Sequence, residues 1–463
     1  MNCYLASNLQ TMHSENRKLF LVLSIWSLVL LPWLFGKGIF ADGLYYGTIA
    51  RNWCFGTGDL WQFYVSESLM NPFYSHPPLA FWLQGSLFCV FGDYWWLDRA
   101  FSLLCFILTA TAMLGIWRLY FREGKTWLPL FILLLLPTAS WAYNNNVLEN
   151  SMGTFCIWAI YLQLSAIKSG KLGLLKNVFS GMLVFAAVLC KGPSGLFPLA
   201  LPFLLLLYSG KINTKRVLMA FLPLFICSFS LFMLLQFDEA NTYLKAYFEI
   251  QIQGSFSLSE KGGEALMLKQ LLVEILPLGA VVFLLLYWIK KKIQPGKEAI
   301  LFFLIATSAS LPILISPKQM GFYILPSLPY WALGFSALLQ GINSSKFVIS
   351  KNVLISSSIL LFTISILAML YNFGRPVRDL VLLNDIEKIS NILPKESKAG
   401  LDPKLSEHWQ VQGYFAREKS ISFYPIGHAK YKYNVGTLDY SLTGCEIVYK
   451  GKELQLCQCP MPE

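Results

Sequence analysis

Several charged or titratable side chains could carry chemistry because they border long apolar segments, where a charge is costly unless it is paired or hydrated. The candidates of this kind are Asp42, Arg51, His76, Glu149, Lys191 and Lys318. Asp42 lies in FADGLYYGTIARNW, and its carboxylate could orient or deprotonate a hydroxyl group. It could instead cap a short helix that begins there. Glu149 opens an apolar segment in NNNVLENSMGTF, where an acid also suits the positive end of a helix dipole.

The cationic candidates could bind an anion such as a phosphate. Lys191 stands in CKGPSGLFPL, and a cation beside the start of a helix forms an anion site. A lysine that only extends toward the membrane surface is the alternative. Lys318 has a similar setting in SPKQMGFYILPSLPYWAL. His76 precedes two prolines, which are ordinary at a helix start, but it is the only histidine between residues 19 and 371.

A carboxylate and several cations beside lipid suit the transfer of a sugar from a lipid-phosphate donor. In such a reaction a nucleophile attacks the anomeric carbon, and the cations stabilise the charge that develops on the departing phosphate oxygens. Because lysine and histidine can supply this positive charge, no cofactor is expected and a divalent metal is not indicated.

The elements that must position these residues are membrane spans. Of the 463 residues, 55% are hydrophobic and only 14% are charged, against about 25% charged in soluble proteins. Segments such as 19–36 and 221–237 are apolar throughout and long enough to cross a hydrocarbon core of about 30 Å. We predict an all-α polytopic domain over residues 1–371 with about eleven or more spans, near 19–36, 98–117, 126–142, 149–167, 177–190, 193–209, 217–236, 270–289, 299–315, 321–340 and 352–371.

The net charge of +11 reflects topology, and no nucleic-acid partner is expected. Alternate loops carry 17 Lys and Arg against 3 acidic residues, whereas the opposite side holds 8 Lys and Arg against 12 acids. Basic loops face the cytoplasm. The N-terminus is therefore predicted to be cytoplasmic, and the tail, after an odd number of spans, to be extracytoplasmic.

The other segments are predicted from length and composition. Residues 37–97 and 237–269 form large outer loops, the second a partly helical cover. In the first loop, the apolar run 79–92 is too short for a span, and a helix in the membrane interface is expected. Residues 372–463 read as a small α/β domain, with a helix in VRDLVLLNDIEKISNIL and strands in SISFYPIG and EIVYKGKELQL. In this tail, Cys445 is expected to form a disulfide with Cys457 or Cys459.

The sequence resembles the GT-C glycosyltransferases, in the group with the aminoarabinose transferases of lipid A and the protein O-mannosyltransferases. The resemblance rests on the order of the segments DGLYYGTIARN, GTGDLW, FYSHPPLAFWLQ, FGDYWWLDRAFSLL, VLENSMGTF, LCKGPSGLFPL and SPKQMGFYILPSLP. It implies a polyprenyl-phosphate sugar donor, inversion at the anomeric carbon, and a bacterial inner membrane location with a periplasmic active site. The acceptor is then a lipid, a glycan or a protein hydroxyl.

The resemblance also implies roles for Asp42, Glu149, His76 and Lys191, and the other candidates rest on their place in the sequence. Asp42 and Glu149 match the acids of the first two outer loops and are the catalytic candidates. The candidates for binding the donor phosphate are His76, Lys191, Lys318 and Arg51. Tyr45 and Tyr323 are candidates for other substrate contacts.

The sequence departs from the family at two positions. Gly43 stands where many relatives have a second acid, and Ser75 where aminoarabinose transferases often have one. A transporter or flippase of a lipid-linked sugar is the alternative function, although its usual signs, duplicated halves and charges near the membrane midplane, are not evident. A third possibility is a scaffold without catalytic activity, and only the missing acid at Gly43 suggests it.

Overall fold

The structure is a computed structural model. It describes residues 2–122, 124–167, 173–209, 214–254, 266–289, 296–314, 319–342, 349–425 and 431–460. The chain divides into two compact units. The first comprises residues 1–32, 102–144 and 148–368, and the second comprises residues 33–101, 145–147 and 369–463.

The chain is mainly helical, as the sequence predicts. The helices in chain order are α1 (Asn2–Leu34), α2 (Ala41–Cys54), α3 (Leu79–Phe91), α4 (Trp96–Tyr120), α5 (Trp127–Leu134), α6 (Pro137–Tyr143), α7 (Leu148–Ala166), α8 (Gly173–Lys191), α9 (Leu201–Ser209), α10 (Thr214–Leu234), α11 (Asp238–Tyr247), α12 (Leu266–Trp288), α13 (Lys297–Leu314), α14 (Leu328–Leu339), α15 (Lys351–Tyr371), α16 (Leu380–Ile392) and α17 (Trp409–Lys419). Short 3₁₀ turns at Pro193–Ala200 and Gly321–Ser327 precede α9 and α14. A π-helical turn, Phe248–Gln253, continues α11.

Helix occupies each of the eleven segments predicted to be spans. Among the described residues, six helical stretches are long and apolar enough to cross a membrane, or seven if a pair bent by 110° is one span. Some predicted spans are not among the six, and an interruption of the helix is one reason. The segment 126–142, for example, divides into α5 and α6 just before Pro137, since proline cannot continue an existing helix. The chain is thus a multi-pass membrane protein, and the exact number of spans stays a prediction.

The second unit contains a five-stranded sheet in the order β2-β1-β3-β5-β4. Its strands are β1 (Lys398–Leu401), β2 (Ser422–Pro425), β3 (Tyr433–Thr437), β4 (Glu446–Lys450) and β5 (Leu454–Gln458). β1 pairs in parallel with β2 and β3, while β5 pairs antiparallel with β3 and β4. Together with α16 and α17, the sheet forms the small α/β domain that the sequence predicts.

Residues of the first outer loop belong to the hydrophobic core of this same unit. Ile39, just before α2, and Leu44, in its first turn, are buried with Ile386 of α16 and Tyr414 of α17. Helix α17 packs against α2, and α2 packs against α3. Nothing in the local sequence of residues 37–97 indicates that α2 would share a core with the C-terminal domain.

Helix α3 confirms that the apolar run 79–92 is helical. It follows Pro78, and it ends at Gly92, whose φ of 95° lets the chain leave the helix. Its residues Phe81, Gln84 and Phe88 are buried, whereas Leu83, Val90 and Phe91 are exposed. An apolar exposed face is what the predicted interfacial position requires, and that position stays a prediction.

Two disulfides lie in the second unit. Cys445 pairs with Cys459, which selects one of the two predicted partners, and Cys457 is a buried free thiol. Cys54 of α2 pairs with Cys89 of α3. The sequence gives no sign of this second bond because single cysteines in apolar segments are usually small buried hydrophobes.

Candidate active site

Asp42 lies half-buried in the first turn of α2. Two asparagines between α6 and α7 hold this turn in place. The side chain of Asn145 accepts a hydrogen bond of 3.1 Å from the backbone N–H of Phe40, and the Asn146 amide donates one of 3.2 Å to the carbonyl of Gly43. Asn146 has a φ of 52°, a left-handed conformation that asparagine tolerates.

The close packing at Gly43 explains its departure from the family. A Cβ atom there would lie 2.0 Å from the carbonyl oxygen of Asn145. A second acid at this position would therefore require the backbone of either α2 or the asparagine turn to move. In this chain the carbonyl oxygen of Gly43 accepts the hydrogen bond of the Asn146 side-chain amide.

His76 is brought against the helix that carries Asp42. Its Nε2 atom lies 3.0 Å from the hydroxyl of Tyr46, and the two ring centroids are 5.5 Å apart. Because Asp42 and Tyr46 are four residues apart on α2, they share a face of the helix. The structure thus places Asp42, Tyr46 and His76 on one side of α2.

Tyr45, on the same helix, contacts the C-terminal domain. Its side chain is buried, and its hydroxyl donates a hydrogen bond of 2.7 Å to the carbonyl of Trp409. Burial raises the pKa of Tyr45 above its ordinary value, and the Asp42 carboxylate raises this pKa further. Its predicted contact with substrate stays a prediction.

Arg51 is buried, at 3% exposure, and each of its guanidinium nitrogens donates within the protein. Nε and Nη2 donate to Asn52, Nη1 to the carbonyl of Arg417, and Nη2 also to the carbonyl of Ala416 and the hydroxyl of Ser420. Burial and the nearby Arg417 lower the pKa of Arg51 to about 10. The guanidinium thus links α2 to the C-terminal domain, and its predicted contact with a donor phosphate stays a prediction.

The first unit brings together three other predicted residues. Glu149, in the first turn of α7, forms an ion pair with Lys191, the last residue of α8. The Glu149 side chain is 1% exposed and that of Lys191 is 11% exposed. The Lys191 ammonium also lies 3.9 Å from the ring centroid of Tyr323, a cation–π contact. The turn after Lys191 uses Gly192 at a φ of 83°, a conformation that favours glycine.

Lys318 lies outside the described residues, so its predicted role stays a prediction. Within the described ranges, no group of three or more His, Cys, Asp and Glu side chains is arranged to hold a metal ion.

Several buried polar residues near α2 have no role predicted from the sequence. Gln84 donates a hydrogen bond of 2.9 Å to Asp98 and accepts one of 3.2 Å from Asn146. Arg99 donates to the carbonyls of Gly36 and Gly38, just before α2. The signal was present in FGDYWWLDRAFSLL, where charged residues adjoin an apolar span.

The sequence also does not single out a buried acid in α12, Glu274. The Oε1 atom of Glu274 accepts hydrogen bonds from the backbone N–H of Thr138 at 2.9 Å, from the Thr138 hydroxyl at 2.5 Å and from Gln270 at 3.2 Å. Because Thr138 is the second residue of α6, Glu274 caps that helix. The side chain therefore fixes the start of the segment that leads to α7 and Glu149.

Comparison with known proteins agrees with this architecture. Residues 75–234 match the family model of dolichyl-phosphate-mannose-protein mannosyltransferases. No curated protein matches the chain. The crystal structure of ArnT from Cupriavidus metallidurans in the apo state is similar with a TM-score of 0.66 at 13% identity, over 94% of this chain and 97% of that one.

Two further crystal structures are similar. The same ArnT bound to undecaprenyl phosphate gives a TM-score of 0.68 at 14% identity, over 95% of this chain and 97% of that one. The Archaeoglobus fulgidus oligosaccharyltransferase in complex with Zn and sulfate gives 0.50 at 12% identity, over 90% of this chain and 68% of that one. At these identities the likeness establishes the fold. With the family model, it confirms the resemblance to the GT-C glycosyltransferases.

Proposed function

We propose that the chain is an integral-membrane glycosyltransferase that moves a sugar from a polyprenyl phosphate to a lipid, glycan or protein acceptor. The observation that carries this proposal is the match of residues 75–234 to a polyprenyl-phosphate-sugar transferase family. That segment contains His76, Glu149 and Lys191. The likeness to an ArnT bound to undecaprenyl phosphate, over nearly the whole of both chains, supports the same class of donor.

In the proposed reaction, Asp42 orients the acceptor hydroxyl and takes its proton as the oxygen attacks the anomeric carbon. The new glycosidic bond forms on the face opposite the phosphate, so the configuration inverts. The bond between the anomeric carbon and the phosphate oxygen breaks, and its electron pair leaves with the phosphate. His76 and Lys191 stabilise this negative charge.

The Glu149–Lys191 pair gives the lysine a defined position. A flexible lysine loses side-chain entropy when it binds an anion, whereas Lys191 is already fixed by Glu149 and by the ring of Tyr323. The positive charge of Lys191 is then already in place when the phosphate departs. Catalysis by preorganised charge requires such a fixed position.

The orientation in the membrane is proposed from two independent features. The basic loops follow the positive-inside rule with the N-terminus in the cytoplasm. Both disulfides, Cys54–Cys89 and Cys445–Cys459, lie in segments that this orientation places outside. Disulfides persist in oxidising compartments such as the periplasm, which agrees with a bacterial inner membrane protein whose active site is periplasmic.

A donor-consumption experiment separates this function from the flippase, which the comparisons do not favour. Purified protein in lipid nanodiscs is mixed with undecaprenyl-phosphate-linked mannose, aminoarabinose or glucose, each with a lipid A or peptide acceptor. A nanodisc has no separate compartments, so only cleavage can consume the donor. We expect release of undecaprenyl phosphate with at least one donor. Intact donors in every mixture, together with donor translocation in proteoliposomes, would favour the flippase instead.

A further inference from the structure

The helix that carries Asp42 is bound at both ends of α17 in the C-terminal domain. At the start of α17, Trp409 accepts the hydrogen bond of Tyr45. At its end, Arg51 donates to the carbonyls of Ala416 and Arg417 at 2.9 Å each. These carbonyls belong to the last turn, where a cation also interacts favourably with the helix dipole. Two side chains of α2 therefore fix its position along the whole length of α17.

Arg417 of the C-terminal domain, in turn, contacts α4 and the turn between α3 and α4. Its side chain is 1% exposed, and Nη1 lies 2.5 Å from Oδ1 of Asp93 while Nη2 donates to the carbonyl of Tyr94 at 3.2 Å. Its Nε lies 3.6 Å from Oδ2 of the buried Asp98. The guanidinium also lies about 5 Å from the rings of Phe88 and Trp95, a distance suited to cation–π contacts.

Asp93 and Asp98 connect the two arginines to the first turn of α2. Asp93 accepts from both Arg417 and Arg51, the latter at 3.5 Å. Asp98 accepts from Gln84, whose side-chain oxygen accepts from Asn146, and Asn146 donates to the carbonyl of Gly43. A continuous chain of polar contacts thus leads from Arg417 to the residue next to Asp42.

We propose that the C-terminal domain positions the Asp42 helix, and that Arg417 is the positioning residue through which it does so. The role assigned to Asp42 rests on the proposed function, whereas the positioning of α2 does not. The physical reason is the free-energy cost of a buried charge that has lost its partner. Removal of the Arg417 charge leaves the carboxylate of Asp98, which is 1% exposed, without this cation in a medium of low dielectric constant. Asp98 must then rearrange, and with it the contacts through Gln84 and Asn146 that lead to α2.

The test compares amide hydrogen exchange in the purified full-length protein and in three variants. Arg417→Gln removes the charge, Arg417→Lys keeps the charge without the planar fork, and Asp93→Asn is a milder variant that retains the size of the side chain. The control is Lys398→Gln, which breaks an exposed ion pair of 2.7 Å between the C-terminal domain and Glu67 of the outer loop.

We expect Arg417→Gln to increase exchange of the α2 amides, residues 41–54, by about tenfold or more, as in a local opening reaction. Arg417→Lys and Asp93→Asn should give smaller increases at the same amides, while α8 and the control variant stay at wild-type protection. The proposal is overturned if α2 keeps wild-type protection when α17 loosens. It is equally overturned if exchange rises to the same extent in α8, since Arg417 would then support only general stability.

A kinetic measurement adds the functional consequence. With any undecaprenyl-phosphate-linked sugar that the wild type consumes, Arg417→Lys should lower kcat while the KM for the donor stays within about threefold, because a positioning residue affects the transition state more than ground-state binding. A rise in KM with kcat unchanged would contradict the proposal. If the wild type consumes no donor, the proposed function fails, and the exchange experiment still decides whether α17 positions α2.

Discussion

The ion pair between Glu149 and Lys191 joins two oppositely charged side chains that are 42 positions apart in the sequence. Taken singly, each residue has an ordinary explanation: an acid suits the start of α7, and a lysine at a span end can extend toward the surface. Their mutual burial argues against a lysine that only extends toward water, because the Lys191 side chain is 11% exposed and lies against a carboxylate. The pair therefore has the properties expected of a preorganised charge.

Substitution of this pair should separate stability from activity. Lys191→Met leaves the Glu149 carboxylate buried without its cation, which should lower the free energy of unfolding by about 3–5 kcal/mol. In the double variant Glu149→Gln, Lys191→Met, both charges are absent, and most of that loss should be recovered while transfer stays abolished. Thermal unfolding in detergent and the donor-consumption assay measure the two effects. A double variant with wild-type turnover would remove the pair from the mechanism.

The steric reason for a glycine at position 43, where many relatives of the resembling family have an acid, is visible only in the structure. The sequence leaves open whether the missing second acid makes the protein inactive. The contact of Gly43 with the Asn145 carbonyl, where a Cβ would lie at 2.0 Å, gives a steric reason for glycine. The glycine therefore fits the local packing around Asp42, and the absence of the acid is not by itself an argument for a scaffold without activity.

At the scale of elements, the sequence predicted the helices and the small sheet but not their contacts. Apolar length gave the helices, and α16 was recognisable from the spacing of Leu383, Ile386 and Ile389, which are all buried on one face. Arg51, by contrast, bonds to residues about 365 positions away. No local pattern contains such a contact, so the link between α2 and α17 could not be predicted from the sequence, and the predicted contact of Arg51 with a phosphate stays a prediction.

Asp385 of α16 anchors the turn between β4 and β5. One of its oxygens accepts from the backbone N–H groups of Lys452, Glu453 and Leu454 at 2.7–3.1 Å, and the other accepts from the Tyr449 hydroxyl at 2.9 Å. Burial alone would raise the pKa of Asp385, but these donors together hold the pKa below its usual value. The carboxylate form is therefore the one that stabilises the domain.

The stability of the C-terminal domain should consequently depend on pH in the acid range. Because the native pKa of Asp385 is depressed, its contribution is fully present above the unfolded pKa of about 3.9 and is lost as the pH falls below it. Asp385→Asn should destabilise the domain by about 2–4 kcal/mol at pH 7, with a weaker dependence on pH below 5. Exchange of the β5 amides at several pH values measures this effect.

The matched control for that prediction is Glu387→Gln on the same helix, whose exposed side chain forms a 3.4 Å ion pair with Lys37. It should alter stability by no more than about 1 kcal/mol, as surface ion pairs do. Equal pH profiles for Asp385→Asn and the wild type would show that Asp385 does not hold the turn through its charge.

At the scale of the whole molecule, the charges of the loops and the pairing of the cysteines both set the first outer loop and the tail apart from the rest of the chain. Both disulfides occur in the second unit, while Cys105, Cys156, Cys190 and Cys227 of the first unit are buried free thiols. This distribution agrees with an extracytoplasmic location of the outer loop and the tail. It could not be read from the sequence, since the partner of Cys54 is set by the packing of α2 on α3.

Labelling with a membrane-impermeant maleimide tests the orientation. Lys395→Cys in the C-terminal domain and Lys297→Cys at the start of α13 are both exposed positions. In intact spheroplasts, Lys395→Cys should react at once, and Lys297→Cys should react only after lysis, because the segment 290–298 is predicted to be cytoplasmic. The reverse order of labelling would contradict the topology and the periplasmic site with it.

The central claim, that Asp42 performs sugar transfer from a polyprenyl phosphate, is tested most directly by release of undecaprenyl phosphate from a lipid-linked sugar in nanodiscs. Asp42→Asn is compared with the wild type and with Asp59→Asn, a matched change at an exposed position of the same outer loop. We predict that Asp42→Asn lowers the rate by about 10²–10⁴-fold with an unchanged unfolding temperature, while Asp59→Asn retains wild-type turnover. Wild-type turnover by a folded Asp42→Asn variant would contradict the claim.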